Sequence, residues 1–174
     1  MILGGATNID KAQAGILIVI LIIISRPKGR PKMTMDLIKQ HNEKYAFFKD
    51  ITGEAMRVHA KYKPYLMESA YEAALKYLLE QKGYKVQRQV FLPIFWDDIQ
   101  LDQDYRMDLV VNDNIICELK AVSHTTDDHV RQLWSYMNIT HKEYGMLINF
   151  GSKHLYSIWY RRYPDGRIEQ IRLY

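Results

Sequence analysis

The sequence is poor in cysteine: Cys117 is its single thiol among 174 residues. One cysteine cannot form a disulfide within the chain, and it cannot supply the several thiolates of a cysteine-based zinc site. Disulfide frameworks and zinc sites of that kind are therefore excluded. A single thiol fits a reducing intracellular setting, and we expect a cytoplasmic protein.

Long apolar runs are also missing. The strongest is "AGILIVILIII", the eleven residues 14–24, whereas a membrane-spanning helix needs about 20 apolar residues. A signal peptide carries its positive charge before the apolar run, but here the larger basic cluster, "RPKGRPK", follows it. A membrane partner is therefore expected only if residues 14–24 are translated and retained.

Three interpretations of residues 1–34 stay open. They are a short membrane-associated segment, a packed N-terminal strand or helix, and an over-extended start in a protein that begins at Met33 or Met35. The abrupt change of composition after residue 32 favours the third. It predicts an apolar and basic leader over residues 1–34 and one domain over residues 35–174.

That domain has no excess of positive or negative charge. The chain has 24 basic and 20 acidic groups, of which five and one lie in residues 1–32, so 19 of each remain. The sequence pI of about 9.0 therefore comes from the leader. It is not evidence for a broad basic surface that binds nucleic acid.

Periodicity predicts helices first, then strands, one more helix and further strands. Helices are expected over residues 35–61, interrupted near residues 49–52, over 67–83, and over 125–140, where Thr125 and Asp128 resemble a capping box. Strands are expected over residues 84–96, 105–111, 115–122, 144–150, 154–162 and 167–174. This order predicts a mixed α/β (α+β) domain with an extra C-terminal β-hairpin.

Three charged residues interrupt two of these strands. Asp108, Glu118 and Lys120 lie in "RMDLVVNDNIICELKAV", which otherwise reads as buried strand. A charged group in such a run costs free energy unless it is paired or holds an ion. Their presence therefore needs a reason other than packing.

The turn between the two strands decides whether these charges meet. If residues 112–114 form a three-residue loop, Val111 faces Ile115 and Asp108 stands opposite Glu118. Asn and Asp tolerate the left-handed conformation that such a loop requires. This register also gathers the apolar side chains on one face, namely Leu109, Val111, Ile115, Cys117 and Leu119.

Two interpretations of the facing carboxylates follow from the residues alone. Carboxylates opposite each other repel, and a divalent cation such as Mg²⁺ or Mn²⁺ between them reverses the sign of the interaction. Lys120 would then lie beside a bound phosphate. The alternative is a solvent-exposed cluster of Asp108, Glu118 and Lys120, which contributes about 0–1 kcal/mol to stability.

The spacing D-x(9)-E-x-K looks like the core of the PD-(D/E)XK nucleases, and flanking motifs narrow the resemblance. Five segments in this order and spacing resemble the GxxExxY protein family, a branch of that superfamily: "PYLMESAYEAAL", "DYRMDLVV", "ICELKAV", "HVRQLWSYM" and "GMLINFG". The resemblance covers about residues 47–151 and implies a nuclease-like core with a mixed central sheet flanked by helices.

The resemblance also implies roles for particular residues. Asp108, Glu118 and Glu68 would hold Mg²⁺ or Mn²⁺, Lys120 would be the motif lysine, and Gln132 would flank the site from the following helix. The sequence departs from the family at Tyr65, where the family motif begins with glycine. A backbone conformation normally given to glycine must therefore be different or strained here.

Further candidates are accessory. Tyr71, His59, His129 and Tyr136 either touch the site or serve the core or the solvated helix surface. His129, Gln132 and Tyr136 form a polar stripe on an otherwise apolar helix. Residues 153–174 combine basic and aromatic side chains, which suits either nucleic-acid contact or an amphipathic hairpin that closes the sheet.

Two functions are expected from these features. The first is a metal-dependent phosphodiesterase that acts on DNA or RNA, with Asp108, Glu118, Lys120, Glu68 and Gln132 as its site. The second is a binding module that keeps the nuclease fold without cleavage, because fold alone does not fix function. A membrane-tethered form that uses residues 14–24 is a third, weaker hypothesis.

Overall fold

The computed structural model describes residues 35–172 of the chain. The chain divides after Ile38, and the fold below is that of the unit Lys39–Tyr174. The predictions for the leader therefore lie outside the described residues. Within residues 35–172, no helix is long and apolar enough to cross a membrane.

Within residues 35–172, four α-helices and six strands follow one another. The helices are α1 (Met35–Lys44), α2 (Ala46–Tyr62), α3 (Glu68–Gln81) and α4 (Asp127–Thr140), with a short 3-10 helix at Lys63–Tyr65. The strands are β1 (Val86–Trp96), β2 (Ile99–Val111), β3 (Ile115–Lys120), β4 (Tyr144–Asn149), β5 (Tyr156–Arg162) and β6 (Ile168–Ile171).

All six strands form one sheet in sequence order. Neighbouring strands are antiparallel except β3 and β4, which are parallel. A parallel pair needs a crossover connection, and α4 supplies it. The predicted mixed α+β fold with a C-terminal hairpin is confirmed.

The sheet is covered on both faces. Helices α2 and α3 contribute Phe48, Ile51, Tyr71 and Leu75, all fully buried, to one apolar cluster. Helix α4 contributes Leu133 and Met137 to a second, separate cluster. The predicted apolar face of β2 and β3 belongs wholly to the first cluster: Leu109, Val111, Ile115, Cys117 and Leu119. Strands β2 and β3 therefore lie between two helical layers, where the burial of a charged group costs free energy.

The first helical region is interrupted at a different place from the one predicted. Helix α2 is continuous through residues 49–52, and the break lies at Tyr45, where φ is −110° and ψ is 20°. Ile51 is fully buried, so packing holds the helix together where local propensity is weak. Tyr45 leaves the helical conformation where its ring contacts Phe48 and Tyr144.

Two other local predictions need correction. The capping box of α4 lies one residue later than expected, at Thr126 and His129, and the Thr126 backbone N–H donates to His129 Nδ1 (3.1 Å). Asp128 instead accepts a hydrogen bond from Arg131 (2.6 Å). Strand β2 begins at Ile99, six residues before the predicted start, because it pairs with the far end of β1 through Trp96.

The loops after the parallel strands are joined tightly. The buried Asn149 side chain accepts from the Val122 N–H (3.1 Å) and the Gly151 N–H (3.0 Å), and it donates to the Val122 carbonyl (2.8 Å). A Cβ atom on Gly151 would lie 2.2 Å from the Val122 nitrogen. This close contact fixes the chain directly after Lys120.

Candidate active site

Strands β2 and β3 carry the predicted site, and their pairing ends next to Asp108. The predicted three-residue loop is confirmed, since Val111 pairs with Ile115 and the pairing of β2 with β3 ends at Leu109 and Cys117. Asn112 and Asp113 have the expected positive φ values of 48° and 58°. Asp108 lies just beyond the last pair, at the point where β2 leaves β3.

The Asp108 carboxylate takes the place of a backbone partner at this separation. Its Oδ2 accepts a hydrogen bond from the Leu119 N–H (2.7 Å). The strand is irregular here, because Met107 and Leu109 pack in different apolar clusters although alternate residues normally share a face. The register therefore brings Asp108 next to β3, and the irregularity lets its carboxylate reach α3 as well.

Helix α3 adds two acidic side chains to Asp108. One carboxylate oxygen each of Glu68, Glu72 and Asp108 lie within 4.8 Å of one another. Glu68 and Glu72 are one helical turn apart, so they project from the same face of α3. The sequence predicted Glu68 in this place, whereas Glu72 was not expected there.

Glu72 is held by side chains from β1. Its Oε2 accepts hydrogen bonds from Arg88 Nε (2.8 Å) and Gln89 Nε2 (2.8 Å). Gln89 has a φ of 52°, which is uncommon for a residue other than glycine. Its amide also lies 3.5 Å from Asp108 Oδ1. An irregular backbone position of this kind is often found at a functional site, where the surrounding structure maintains it.

The buried Glu118 and the half-buried Lys120 form an ion pair at the end of β3. Lys120 Nζ lies 2.6 Å from Glu118 Oε1, as expected for alternate residues on one strand face. Glu118 is 1% exposed, and its Oε2 has no hydrogen-bond partner within residues 35–172. A buried carboxylate oxygen without a partner is costly and calls for an explanation. A solvent-exposed surface cluster is not what the structure shows.

Burial raises the pKa of both central carboxyl groups, and neighbouring carboxylates add to the effect. Burial raises the pKa of Asp108 to about 6, against the opposing effect of the Leu119 hydrogen bond. Burial and the nearby charge of Asp108 raise the pKa of Glu118 to about 8, although Lys120 opposes this. Without a cation, the site therefore favours bound protons, and a divalent cation would favour the ionised carboxylates instead.

Lys120 keeps its charge in this setting. Burial by itself would lower the pKa of Lys120, but the charge and hydrogen bond of Glu118 outweigh burial and raise it. Glu68 and Asp108 add further attraction. The ammonium group is therefore positive at neutral pH and lies among carboxylates from α3, β2 and β3.

Helix α4 places two of the predicted polar residues beside the sheet. Gln132 Nε2 donates to the Tyr136 hydroxyl (2.9 Å). Burial raises the pKa of Tyr136, and the charges of Glu118 and Asp108 add to this effect against the Gln132 hydrogen bond. Tyr136 thus lies within electrostatic reach of the acidic site, and Gln132 reaches it through Tyr136.

Three accessory candidates contact backbone instead. His59 Nε2 is hydrogen-bonded to the Ser152 carbonyl (2.9 Å), and His129 caps α4 as described. The fully buried Tyr71 hydroxyl donates to the Lys63 carbonyl and accepts from the Leu66 N–H (3.0 Å). Tyr71 therefore fixes the segment that leads into Glu68 and does not join the acidic cluster.

The departure of the sequence at Tyr65 has a simple structural counterpart. The positive φ in this segment, 55°, belongs to Lys63 and not to Tyr65. Tyr65 itself is 83% exposed. The loop therefore enters α3 without a left-handed residue at the position where the family motif has glycine, and Glu68 still reaches Asp108.

The basic and aromatic C-terminal segment forms the hairpin β5–β6 and its turn. Arg161 Nε contacts Glu143 Oε1 (2.8 Å), and its guanidinium lies 4.7 Å from the Tyr163 ring. The Arg167 guanidinium lies 4.5 Å from the centroid of the same ring. Both arginines therefore have partners within the protein, which favours the sheet-closing interpretation.

The residues missed by sequence reasoning are Glu72, Arg88 and Gln89. Glu72 follows Glu68 by four residues, so helical spacing was a signal that could have identified it. Arg88 and Gln89 offered no comparable signal, because their contacts depend on the local irregularity opposite Asp108 and on the packing of α3 over β1.

The donor set fits a divalent cation. Glu68, Glu72 and Asp108 offer carboxylate oxygens within 4.8 Å of one another, and oxygen ligands of this kind suit Mg²⁺ or Mn²⁺. Glu118 is not part of that group, but its Oε2 has no hydrogen-bond partner within residues 35–172, and its pKa and that of Asp108 are raised, which a bound cation would relieve. The arrangement therefore has the chemistry of a metal site near a largely buried ammonium group.

Comparison with known proteins identifies a family. The model of a family described as the PD-(D/E)XK nuclease superfamily matches residues 45–162. No curated protein matches the chain, and no solved structure matches it. The matched residues run from the start of α2 to the end of β5 and contain every side chain of the acidic site.

Proposed function

Because the chain belongs to the PD-(D/E)XK nuclease superfamily, we propose that it is a metal-dependent nuclease of the GxxExxY type that hydrolyses phosphodiester bonds in nucleic acid. One observation carries the proposal. Carboxylate oxygens of Glu68, Glu72 and Asp108 lie within 4.8 Å of one another, and the ion pair of Glu118 and Lys120 lies within electrostatic reach of Asp108 and Glu68.

Asp108, Glu118 and Glu68 are the proposed ligands of Mg²⁺ or Mn²⁺. When bound, the cation would screen the phosphate charge and lower the pKa of a water molecule. Glu72 is already held by Arg88 and Gln89, so we assign it the role of supporting the neighbouring carboxylates. The Leu119 N–H donates a hydrogen bond to the Asp108 carboxylate and so holds this proposed ligand in position.

Lys120 is the proposed catalytic cation. Its ammonium group is held by Glu118 Oε1 at 2.6 Å, and it would stabilise the negative charge that develops on the phosphate oxygens. Gln132 acts through Tyr136 at the wall of the site formed by α4 and is proposed to orient Lys120 or the substrate. The cytoplasm remains the compartment that we propose.

Calorimetric titration of Mn²⁺ and Mg²⁺ tests the metal site. Asp108→Asn and Glu118→Gln keep the size of each side chain and remove one charge, so both are expected to abolish the binding seen in the parent chain. Asp165→Asn is the matched control, because Asp165 lies in the exposed hairpin turn and bonds to the Arg167 N–H (3.0 Å). Equal binding in all four proteins would refute the assignment.

Lys120→Gln separates metal binding from chemistry. Gln keeps a hydrogen-bond donor for Glu118 but removes the positive charge, so we expect metal binding to persist while cleavage of labelled oligonucleotides falls by about 10²-fold or more. Metal binding in the parent chain without cleavage of any single- or double-stranded DNA or RNA would favour the non-cleaving module instead.

A further inference from the structure

Two cavities that share lining residues lie at the carboxyl end of the parallel strands. One, of about 750 Å³, lies between α2, the 3-10 helix and the loop after β4. The other, of about 570 Å³, lies between the loops after β3 and β4. Both are lined by Lys153, His154 and Leu155, so they form one continuous depression, which we call the cationic trough.

The charged side chains that line the cationic trough are all basic. Its two lysines are Lys63 and Lys153, and it also contains His59, His124 and His154. No Asp or Glu is among the lining residues that the structure describes. Within residues 35–172, neither lysine has a salt-bridge partner. Two free ammonium groups in a depression without acids are suited to a phosphate backbone.

Aromatic and apolar surfaces lie among these cations. Tyr65 is 83% exposed, Met56 is 58% exposed and Tyr156 is 43% exposed, and all three line the cationic trough. Bases of a duplex are stacked on each other, whereas unpaired bases can stack on an exposed protein ring. Alternation of cations with exposed rings is therefore typical of single-strand binding.

The cationic trough adjoins the proposed metal site along two segments of chain. Tyr65 precedes Glu68 by three residues, and His124 follows Lys120 by four residues. Even a fully extended chain of three residues spans only about 11 Å. The Tyr71 hydroxyl and the Asn149 amide hold these two segments in place. A strand lying in the trough would therefore pass close to the segments that carry Glu68 and Lys120.

We infer that the cationic trough binds single-stranded nucleic acid, with Lys63 and Lys153 on its phosphates and one base stacked on Tyr65. The inference rests on the proposed function, because it names the substrate class of the same site. The equal numbers of basic and acidic groups outside the leader agree with it, since a narrow basic path suits one strand better than a broad duplex surface.

Binding without cleavage tests the trough separately from the nuclease activity. In EDTA, fluorescence anisotropy with the full chain would compare a labelled single strand of about 12 nucleotides with the corresponding duplex. We expect tighter binding of the single strand, and at least about tenfold weaker binding after Lys63→Ala with Lys153→Ala. The salt dependence, as log K against log salt concentration, should become shallower by about 1.4 for these two phosphate contacts.

A matched double variant controls for net charge. Lys85→Ala with Lys142→Ala also removes two positive charges, but both lysines contact Asp113 at the opposite end of β3. This variant should bind the single strand as the parent chain does. Equal losses in the two double variants, or equal parental affinity for duplex and single strand, would overturn the inference.

The aromatic contact has its own control. Tyr65→Phe should retain binding, whereas Tyr65→Ala should weaken it by about tenfold, the usual scale for one stacked base. An oligonucleotide with abasic sites should bind the parent chain and Tyr65→Ala equally. Loss of binding in Tyr65→Ala that persists with the abasic strand would contradict stacking. Cleavage is measured separately with Mg²⁺, so an inactive protein that still binds in this way would refute only the proposed nuclease activity.

Discussion

At the scale of single residues, the site is dominated by the cost of burying charge. Asp108 and Glu118 are 7% and 1% exposed, and each has a raised pKa. Unfolded carboxyl groups titrate near pH 4, so between pH 4 and 8 the folded state binds protons that the unfolded state has released. In the absence of metal, stability should therefore fall as the pH rises through this window.

The contribution of Asp108 to this pH dependence can be measured directly. The change of its pKa from 3.8 to about 6 corresponds to about 3 kcal/mol. Asp108→Asn cannot ionise, so urea unfolding in EDTA should show a smaller loss of stability between pH 5 and pH 8 than in the parent chain. Saturating Mn²⁺ should raise the stability of the parent at pH 8 and leave that of the variant unchanged. Identical slopes with pH would contradict the assignment.

At the scale of elements, the loops after β3 and β4 determine where Lys120 lies. A methyl group on Gly151 would overlap the backbone of residues 121 and 122. We expect Gly151→Ala to reduce the free energy of unfolding by about 1–3 kcal/mol, and to reduce cleavage as the chain near Lys120 shifts. Thermal unfolding and a cleavage assay would measure the two effects.

Gly53→Ala provides the contrasting case. Gly53 lies inside α2, and a Cβ atom there meets nothing within 4 Å. Alanine is the better helix former, so this substitution should stabilise the protein by about 0.5–1 kcal/mol and leave cleavage unchanged. A similar loss of stability for both glycine variants would show that the contact at Gly151 is not the cause.

The elements also show what a sequence can predict and what it cannot. The register of β2 and β3 was predictable, because one slip would have moved Leu109 and Cys117 out of the core. The break at Tyr45 was not, since it depends on contacts with Tyr144, which is distant in the sequence. The same holds for the site: Asp108 and Glu118 followed from strand pairing, whereas the support of Glu72 by Arg88 depends on tertiary packing.

At the scale of the whole molecule, the domain is expected to be independent of the leader. Within residues 35–172, the members of both apolar clusters lie at or after Tyr45, and the family match begins at residue 45. A chain that starts at Met35 should therefore unfold cooperatively and gain stability with Mn²⁺ as the full chain does. Calorimetry of the two chains side by side would check this, and loss of cooperative unfolding in the shorter chain would show that the leader belongs to the fold.

The hydrogen bond between the Leu119 N–H and Asp108 has a spectroscopic consequence. An amide proton that points at a carboxylate shifts in its resonance frequency when that carboxylate gains or loses a proton. The amide signal of Leu119 therefore reports on the protonation of Asp108, and it should titrate near pH 6. The same signal should respond when a cation binds, so one backbone nucleus would report occupancy of the site without any label or substrate.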